Sequence, residues 1–293
     1  MNKAVEIPEE FRQLDFFTGD LIDIATRDKR ETMNRPFFAL SDKPRYEPME
    51  YTSLETDIAV SGAKPYGIAT IKDADILMWI ISQMIEKRDR GKPVEQKIRF
   101  HAHNCLKGIF RKTGGSQYKQ FEQALLRLAT TSVVVTLKDS KTGKDKGIKP
   151  FHWLYFEGVY DDKGRLSWVD AVLPTWIYQS IIKQDVLTID KRYMLLDSNL
   201  DRYLYKIARV HVGDGTRNKG QWTLRMKALY KLVPTTQRFS DFARDVRGCV
   251  ERDQLPEYCM GIEYQDGEEC VVFHKRTMLP LEDSRYEDKR ISR

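Results

Sequence analysis

The chain has 293 residues, 41% of them hydrophobic, which is enough apolar material for one large domain or two ordinary ones. No apolar run reaches the roughly 18 residues of a membrane span, the N-terminus lacks a signal core, and the four cysteines form no CxxC pair. We therefore expect a reduced, cytoplasmic protein without a metal site, a cofactor or a membrane partner. The formal net charge of +6 is mild, so its distribution along the chain is more informative than its total.

The first segment of the chain is acidic. Residues 1–60 contain eight basic and thirteen acidic side chains, a net charge of −5. We expect residues 1–34 to form a flexible acidic arm. The apolar stretch around Phe16, Phe17 and Leu21 is expected to pack on its own domain, and docking on a partner is the alternative.

Three helical patterns come next. Thr70 and Asp73 resemble a capping box at the start of the first helix, which Gly91 ends. A second helix is predicted over Phe100–Phe110 and a third from Ser116 onward. Two helices joined by a short glycine-containing turn are typical of a helix-turn-helix.

Two hairpins are predicted after these helices. The β-branched run Ser132–Leu137 is expected to pair with a returning strand over Phe151–Tyr160, with the turn at Thr142–Gly143. A second hairpin turns at residues 161–164 and leads into Val169–Val172. Helices followed by a hairpin in this order predict a winged-helix domain over residues 35–173.

The same order begins again after residues 174–190, which we expect to be a linker helix. The second series consists of a helix capped by Ser198, helices over Trp222–Val233 and Gln237–Glu251, and a hairpin with strands at Met260–Tyr264 and Cys270–His274. The last helix of each series carries apolar residues spaced 3, 4, 3, namely Tyr118, Phe121, Leu125 and Leu128, and Phe239, Phe242, Val246 and Cys249. The predicted fold class is α+β, with two tandem winged-helix (helix-turn-helix plus β-hairpin) domains, the second at 191–278, and a mobile tail at 279–293.

Positive charge is concentrated on both predicted helix-turn-helix units. The stretch from Lys97 to Arg127 has a net charge of +6, and so has the stretch from Arg217 to Arg252. Each stretch therefore carries the same net charge as the whole chain. A solvated helix face explains any single run, but two runs on two such units favour a nucleic-acid partner through counterion release. We therefore expect both units to contact double-stranded DNA.

Helical geometry selects the side chains that face away from the predicted core. The candidate DNA-binding residues are Ser116, Lys119, Gln120, Gln123 and Arg127 on one helix, Gln237, Arg238, Ser240, Asp241, Arg244 and Arg247 on the other, and Lys141, Lys144, Lys146, Lys275 and Arg276 on the hairpins. Arginine reads guanine and glutamine reads adenine in the major groove, while serine and lysine hold phosphates. The helix at 237–251 is thus the predicted base reader, and plain solubilisation explains any single hairpin cation equally well.

One motif suggests an enzyme instead. His101-Ala102-His103 matches the His-hydrophobe-His pattern of nucleases that bind a metal through both histidines and attack DNA with a tyrosine. On a helix, side chains two residues apart point about 200° away from each other, which disfavours shared metal ligation. No P-loop, GxSxG or HExxH motif occurs, so we expect no catalytic residues.

Three segments carry a resemblance to a known family. Residues Arg35–Ser41, Ala69–Leu77 and Gly114–Tyr118, the last followed by Leu125–Leu128, resemble the plasmid replication initiator protein A family over about residues 10–277. The twin winged-helix plan is similar, more distantly, to theta-type plasmid initiators. The resemblance implies binding to tandem origin repeats (iterons), opening of an adjacent AT-rich region, and help from a host initiator and the replicative helicase.

The resemblance also implies a monomer–dimer equilibrium. In that group, monomers bind the origin and dimers, formed through the first domain, repress the protein's own gene. We therefore expect the protein to associate with the plasmid or nucleoid and to contribute to copy control. A winged-helix transcription regulator without a replication role is the alternative, and the nicking nuclease is the third hypothesis.

Overall fold

A computed structural model describes residues 16–19, 37–53, 55–183, 186–213 and 218–287. Within these residues the chain forms two compact units that meet in sequence between Ile189 and Asp190, which we call the N-terminal unit and the C-terminal unit. Both units mix helices and strands, so the predicted class is confirmed in this broad form. None of the helices in the described part of the chain is long and apolar enough to span a membrane.

The N-terminal unit contains four helices and nine strands among its described residues. The helices are α1 (Ala74–Asp89), α2 (Ala102–Gly108), α3 (Gly115–Thr130) and α4 (Thr175–Ile182). The strands are β1 (Phe16–Gly19), β2 (Met49–Thr52), β3 (Thr56–Ser61), β4 (Lys97–His101), β5 (Ser132–Lys138), β6 (Asp145–Phe151), β7 (Tyr155–Tyr160), β8 (Leu166–Val172) and β9 (Val186–Ile189). They form sheets of order β2-β3-β5-β6 and β4-β8-β7 and the pair β1-β9, and every strand neighbour is antiparallel.

A reciprocal capping pair fixes the start of α1. The backbone N–H of Thr70 donates to Asp73 Oδ2 at 2.8 Å, and the N–H of Asp73 donates to Thr70 Oγ1 at 3.2 Å. This is the capping box that the sequence predicts. The helix behind it is buried on several sides, with Ile76, Leu77 and Ile80 fully inaccessible, and it forms the centre of the unit's core.

The C-terminal unit repeats the plan with fewer elements. Its described elements are α5 (Asn199–His211), β10 (Gln221–Arg225), α6 (Met226–Leu232), α7 (Phe239–Arg252), β11 (Tyr258–Gln265) and β12 (Glu268–Lys275). Ser198 caps α5, as predicted, by accepting from the N–H of Asp201. The hairpin β11–β12 turns at Asp266 and Gly267, both with positive φ as a tight hairpin turn requires.

The two units share one connectivity. In each, a long helix precedes a five-residue strand that runs directly into a seven-residue helix (β4–α2 and β10–α6). Six residues, 109–114 or 233–238, then lead to the longer helix α3 or α7. In both units the second strand of the following hairpin pairs antiparallel with the short strand, so Lys97 faces Val172 as Gln221 faces His274. The two units are therefore more alike in structure than the spacing of their apolar residues in the sequence indicates.

Several predicted elements differ from the structure. The helices expected over Phe100–Phe110 and Trp222–Val233 both begin with a strand, because β8 and β12 provide pairing partners far along the chain. The strand that returns beside β5 is β6, which lies mostly in the expected loop, whereas the strand expected over Phe151–Tyr160 corresponds mainly to β7 in a different sheet. Consequently the hairpin β5–β6 is an addition to the repeated plan, and the hairpin that corresponds to β11–β12 is β7–β8.

The predicted linker and tail also differ. Helix α4 of the expected linker 174–190 packs on the N-terminal unit, where Tyr178 Oη donates to the carbonyl of Val94 at 2.9 Å and Ile181 is fully buried. Part of the expected mobile tail, residues 279–287, lies on the C-terminal unit, and Glu287 pairs with Arg192. Residues 288–293, and the predicted arm 1–34 apart from β1, lie outside the described residues.

Candidate nucleic-acid interface

Helix α3 has the two faces that its sequence predicts. Tyr118, Phe121, Leu125 and Leu128 are all buried, and Ser116, Lys119 and Gln120 are exposed on the opposite side with Gln123 half-buried. Within the described residues Lys119 forms no ion pair, nor do the exposed Lys107 of α2 and Lys112 of the turn. These three cations remain available to an anionic partner. Sequence reasoning counted the last two as charge but did not select them as site residues.

Arg127 is the exception on this helix. Its Nε donates to Asp73 Oδ2 at 2.7 Å and its Nη2 to Asp73 Oδ1 at 2.8 Å, and its side chain is only 17% exposed. Burial on its own lowers the pKa of Arg127, but the hydrogen bonds and charge of Asp73 outweigh that effect and raise it. The guanidinium therefore ties α3 to the start of α1, and the prediction that it contacts DNA is corrected to a structural role.

Helix α7 exposes more charge than α3. Phe242, Val246 and Cys249 are buried as predicted, but Phe239, the first residue of the helix, is 37% exposed and makes an edge contact with the ring of Tyr230. The predicted readers on this element are exposed or half-buried: Gln237, Arg238, Ser240, Asp241, Arg244 and Arg247. The structure thus places this whole predicted set on one accessible helix and its N-terminal turn.

Two of the predicted readers on α7 are paired with carboxylates. Arg244 Nη1 lies 3.1 Å from Asp241 Oδ1, and its side chain is 70% exposed, so water screens this pair strongly. Arg247 makes a bidentate pair with Glu269 of β12, through Nε and Nη2, both at 2.7 Å. Hydrogen bonding to Glu269 raises the pKa of Arg247, and the planar geometry fixes the direction of its guanidinium.

A neighbouring acid pairs with two further cations. Glu268 Oε2 lies 3.0 Å from Arg225 Nε, and Glu268 Oε1 lies 3.2 Å from Lys227 Nζ. Glu268 therefore holds one cation of β10 and one of α6, and Glu269 holds one cation of α7. Sequence reasoning missed both acids, although two adjacent glutamates at the start of a hairpin strand beside basic helices are a visible signal.

The lysines Lys141, Lys144 and Lys146 are exposed on the hairpin β5–β6. Asp139 shapes the turn: its Oδ1 accepts from the backbone N–H groups of Thr142 and Lys141, which lower its pKa. The exposure of the three lysines agrees with the prediction. They lie, however, on the additional hairpin β5–β6 and not on β7–β8, the hairpin that corresponds to β11–β12.

The other two hairpin cations are buried. Lys275 is 4% exposed, and its ammonium donates to Glu257 Oε1 at 2.6 Å and lies over the ring of Tyr258. Arg276 is held by Asp253 through two hydrogen bonds of 2.7 and 3.0 Å. They stand at the end of β12 away from the turn, so the prediction that they are surface phosphate contacts is corrected.

The two histidines of the nuclease-like motif have structural partners. His101 is the last residue of β4 and the N-cap of α2, where its Nδ1 accepts from the N–H of His103 and its Nε2 contacts Ser167 Oγ at 3.2 Å. His103 Nδ1 lies 3.3 Å from Tyr118 Oη. In the described ranges no cluster of three or more His, Cys, Asp or Glu residues has the geometry to hold a metal ion.

Comparison with known proteins agrees with the expected family. Residues 27–260 match the family model of replication initiator protein A. A protein of Wigglesworthia glossinidia brevipalpis described as a putative replication protein is 26% identical over 282 residues, which cover 94% of this chain and 98% of that protein.

Solved structures show a similar fold. A crystal structure of a selenomethionine derivative of domains 2 and 3 of RctB has a TM-score of 0.61 at 14% identity and covers 84% of this chain and 98% of that one. A second structure of RctB domains 2–3 has a TM-score of 0.57 at 13% identity, covering 81% and 94%.

Proposed function

The chain belongs to the replication initiator protein A family, and we propose that it acts as a replication initiator by binding double-stranded DNA sequence-specifically. The observation that carries this proposal is the repeated helix-pair-and-hairpin scaffold, in which α3 and α7 each turn a polar, cation-bearing face outward. Helices of this kind present their outer face to the major groove.

Each unit is proposed to be a winged-helix domain. The order of helix, strand, two helices and hairpin supports this, with α3 and α7 as the recognition helices. In the N-terminal unit the added hairpin β5–β6, with Lys141, Lys144 and Lys146, supplies phosphate contacts beyond those of the repeated plan.

The two units are proposed to divide the work of binding. Arg244 and Arg247 of α7 are suited to guanine, which accepts two hydrogen bonds at O6 and N7. Lys107, Lys112 and Lys119 are unpaired in the described structure and suit phosphates, which take no account of sequence. On this proposal the C-terminal unit recognises the DNA sequence, and the N-terminal unit increases the affinity through phosphate contacts.

The origin-level activities rest on the family. We propose that the protein binds tandem origin repeats, promotes opening of the origin and recruitment of the host replisome, and represses its own gene as a dimer. Two units that each cover part of a repeat suit repeats of roughly two helical turns.

A replication assay in trans tests this proposal. A minimal plasmid carrying the DNA that flanks the gene, but not the gene, should replicate only when the protein is supplied separately. Arg244→Ala should reduce its copy number, and Asp266→Asn at the exposed hairpin turn should not. A transcription regulator would bind one operator and leave copy number unchanged. A nuclease would nick supercoiled DNA with magnesium and lose that activity with His101→Ala.

A further inference from the structure

The acid pair Glu268–Glu269 at the start of β12 is not explained by folding alone. Glu269 is 15% exposed and holds Arg247, which is 47% exposed on the outer side of α7. Glu268 is 34% exposed and holds Arg225 and Lys227, which are more open to solvent than it is. Two partly buried acids thus pair with three more exposed cations, one of which, Arg247, is a proposed DNA contact.

The N-terminal unit lacks this arrangement. The sheet registers make the two units directly comparable, because Val169 pairs with Phe100 as Val271 pairs with Leu224. On that register Leu166 and Ser167 occupy the positions of Glu268 and Glu269. Arg111 and Arg127 pair with Asp75 and Asp73 near the start of α1, and in the described residues Lys107, Lys112 and Lys119 form no ion pair. The acid pair is therefore a feature of the C-terminal unit and not a requirement of the repeated fold.

Pairing with a carboxylate affects the two kinds of DNA contact to different extents. A cation that is already neutralised releases little condensed counterion when it meets a phosphate, so it adds little to non-specific affinity. A guanidinium held in a planar bidentate pair loses little freedom when it donates its remaining N–H groups to a base edge. Pairing therefore lowers non-specific binding more than it lowers specific binding.

We propose that Glu268 and Glu269 set the DNA specificity of the C-terminal unit, by withholding Arg225, Lys227 and Arg247 from phosphates and aiming Arg247 at base edges. This inference rests on the proposed DNA binding. It assigns the acids as positioning residues that act through the cations, and it predicts an effect of similar size for each acid because each carries one negative charge.

The test measures the affinity of the full chain for two DNA duplexes over a range of salt concentrations. One duplex has random sequence and about three helical turns, and the other is selected from a random pool by the wild-type protein. For the random duplex, Glu269→Gln and Glu268→Gln should each steepen the slope of log affinity against log salt by about 0.9, because each variant removes one negative charge that is paired with a cation. Affinity for the random duplex should rise on the order of fivefold for Glu269→Gln at physiological salt, and the specificity ratio should fall.

Glu263→Gln is the matched control. Glu263 lies on β11 of the same hairpin, is exposed and holds no cation in the described structure, so this variant changes the charge without freeing a cation. Combining Arg247→Gln with Glu269→Gln should abolish the slope increase of the latter. Circular dichroism melting verifies that each variant is folded. If Glu269→Gln does not fold, the measurements on Glu268→Gln alone decide the test.

The possible outcomes separate the two levels of inference. If the wild type binds DNA and both acid variants match Glu263→Gln in slope and specificity ratio, the role of the acid pair is wrong while DNA binding stands. If the wild type enriches no sequence from the random pool and does not bind the random duplex even at low salt, the proposed function itself is wrong.

Discussion

The pair between Arg127 and Asp73 gives the sharpest test of the corrected interface. Arg127→Ala removes the only bidentate partner that the structure gives Asp73, a carboxylate whose side chain is 3% exposed. The N–H of Thr70 remains as its donor, but the buried charge loses its counter-ion. Removing one member of a buried pair costs about 3–5 kcal/mol, and the partial exposure of Arg127 places the expected loss near the lower end, about 3 kcal/mol.

Calorimetry of the full chain measures this loss. For a unit of roughly 180 residues, about 3 kcal/mol corresponds to a decrease in Tm of about 6–12 °C. DNA affinity measured well below that Tm should keep the wild-type salt dependence, because Arg127 does not reach phosphate. Lys119→Ala is the matched control on the same helix: it should leave stability within about 0.5 kcal/mol and reduce the salt slope by about one. An unchanged Tm with a reduced salt slope for Arg127→Ala would refute the structural role.

Three further predictions concern other elements. Lys144→Ala should reduce the salt slope of DNA binding by about one, and an unchanged slope in a filter-binding titration would remove the added hairpin from the interface. Lys275→Met should destabilise the C-terminal unit by about 2–4 kcal/mol in urea unfolding, because Glu257 is left without its cation; a loss below 0.5 kcal/mol is the contrary result. Burial, and then the charge of Arg285, lower the pKa of His274. Unfolding therefore takes up a proton below about pH 6.5, so stability should fall as pH drops from 7 to 5, and less steeply in His274→Gln; equal pH profiles would contradict this.

Helix periodicity allowed the faces of α3 and α7 to be predicted from the sequence. Phe121, Leu125, Phe242 and Val246 recur at the spacing that a single buried face requires, and all four are buried. The exposed faces of the two helices were then predicted as the sides opposite these buried residues. Phe239 escaped the rule because the first residue of a helix has no preceding turn to cover it.

The short strands β4 and β10 could not be predicted in the same way. Each is five residues long and leads straight into a helix, so apolar residues such as Trp222 and Leu224 continue a helical spacing into α6. Their strand character comes from pairing with residues 45 to 75 positions later in the chain, a non-local interaction that local periodicity does not contain.

The correct assignment of cations also depended on distant partners. Arg127, Lys275 and Arg276 read as surface cations because no acid stands at helical or strand spacing beside them in the expected elements. Asp73 and Glu257, which hold the first two, lie on other elements, 54 and 18 residues away. The fold alone decides which cations are paired with acids, and therefore which remain available to an anionic partner.

A footprint of the full chain on the DNA flanking its gene tests sequence-specific binding by α7. We expect protection of several tandem repeats at a protein concentration that leaves the surrounding DNA unprotected. With Arg244→Ala, protection of those repeats should require roughly 5–150 times more protein, equivalent to about 1–3 kcal/mol for one guanine contact, while binding to random DNA changes little. Uniform coverage without repeats, or an Arg244→Ala footprint identical to that of the wild type, would contradict sequence reading by α7.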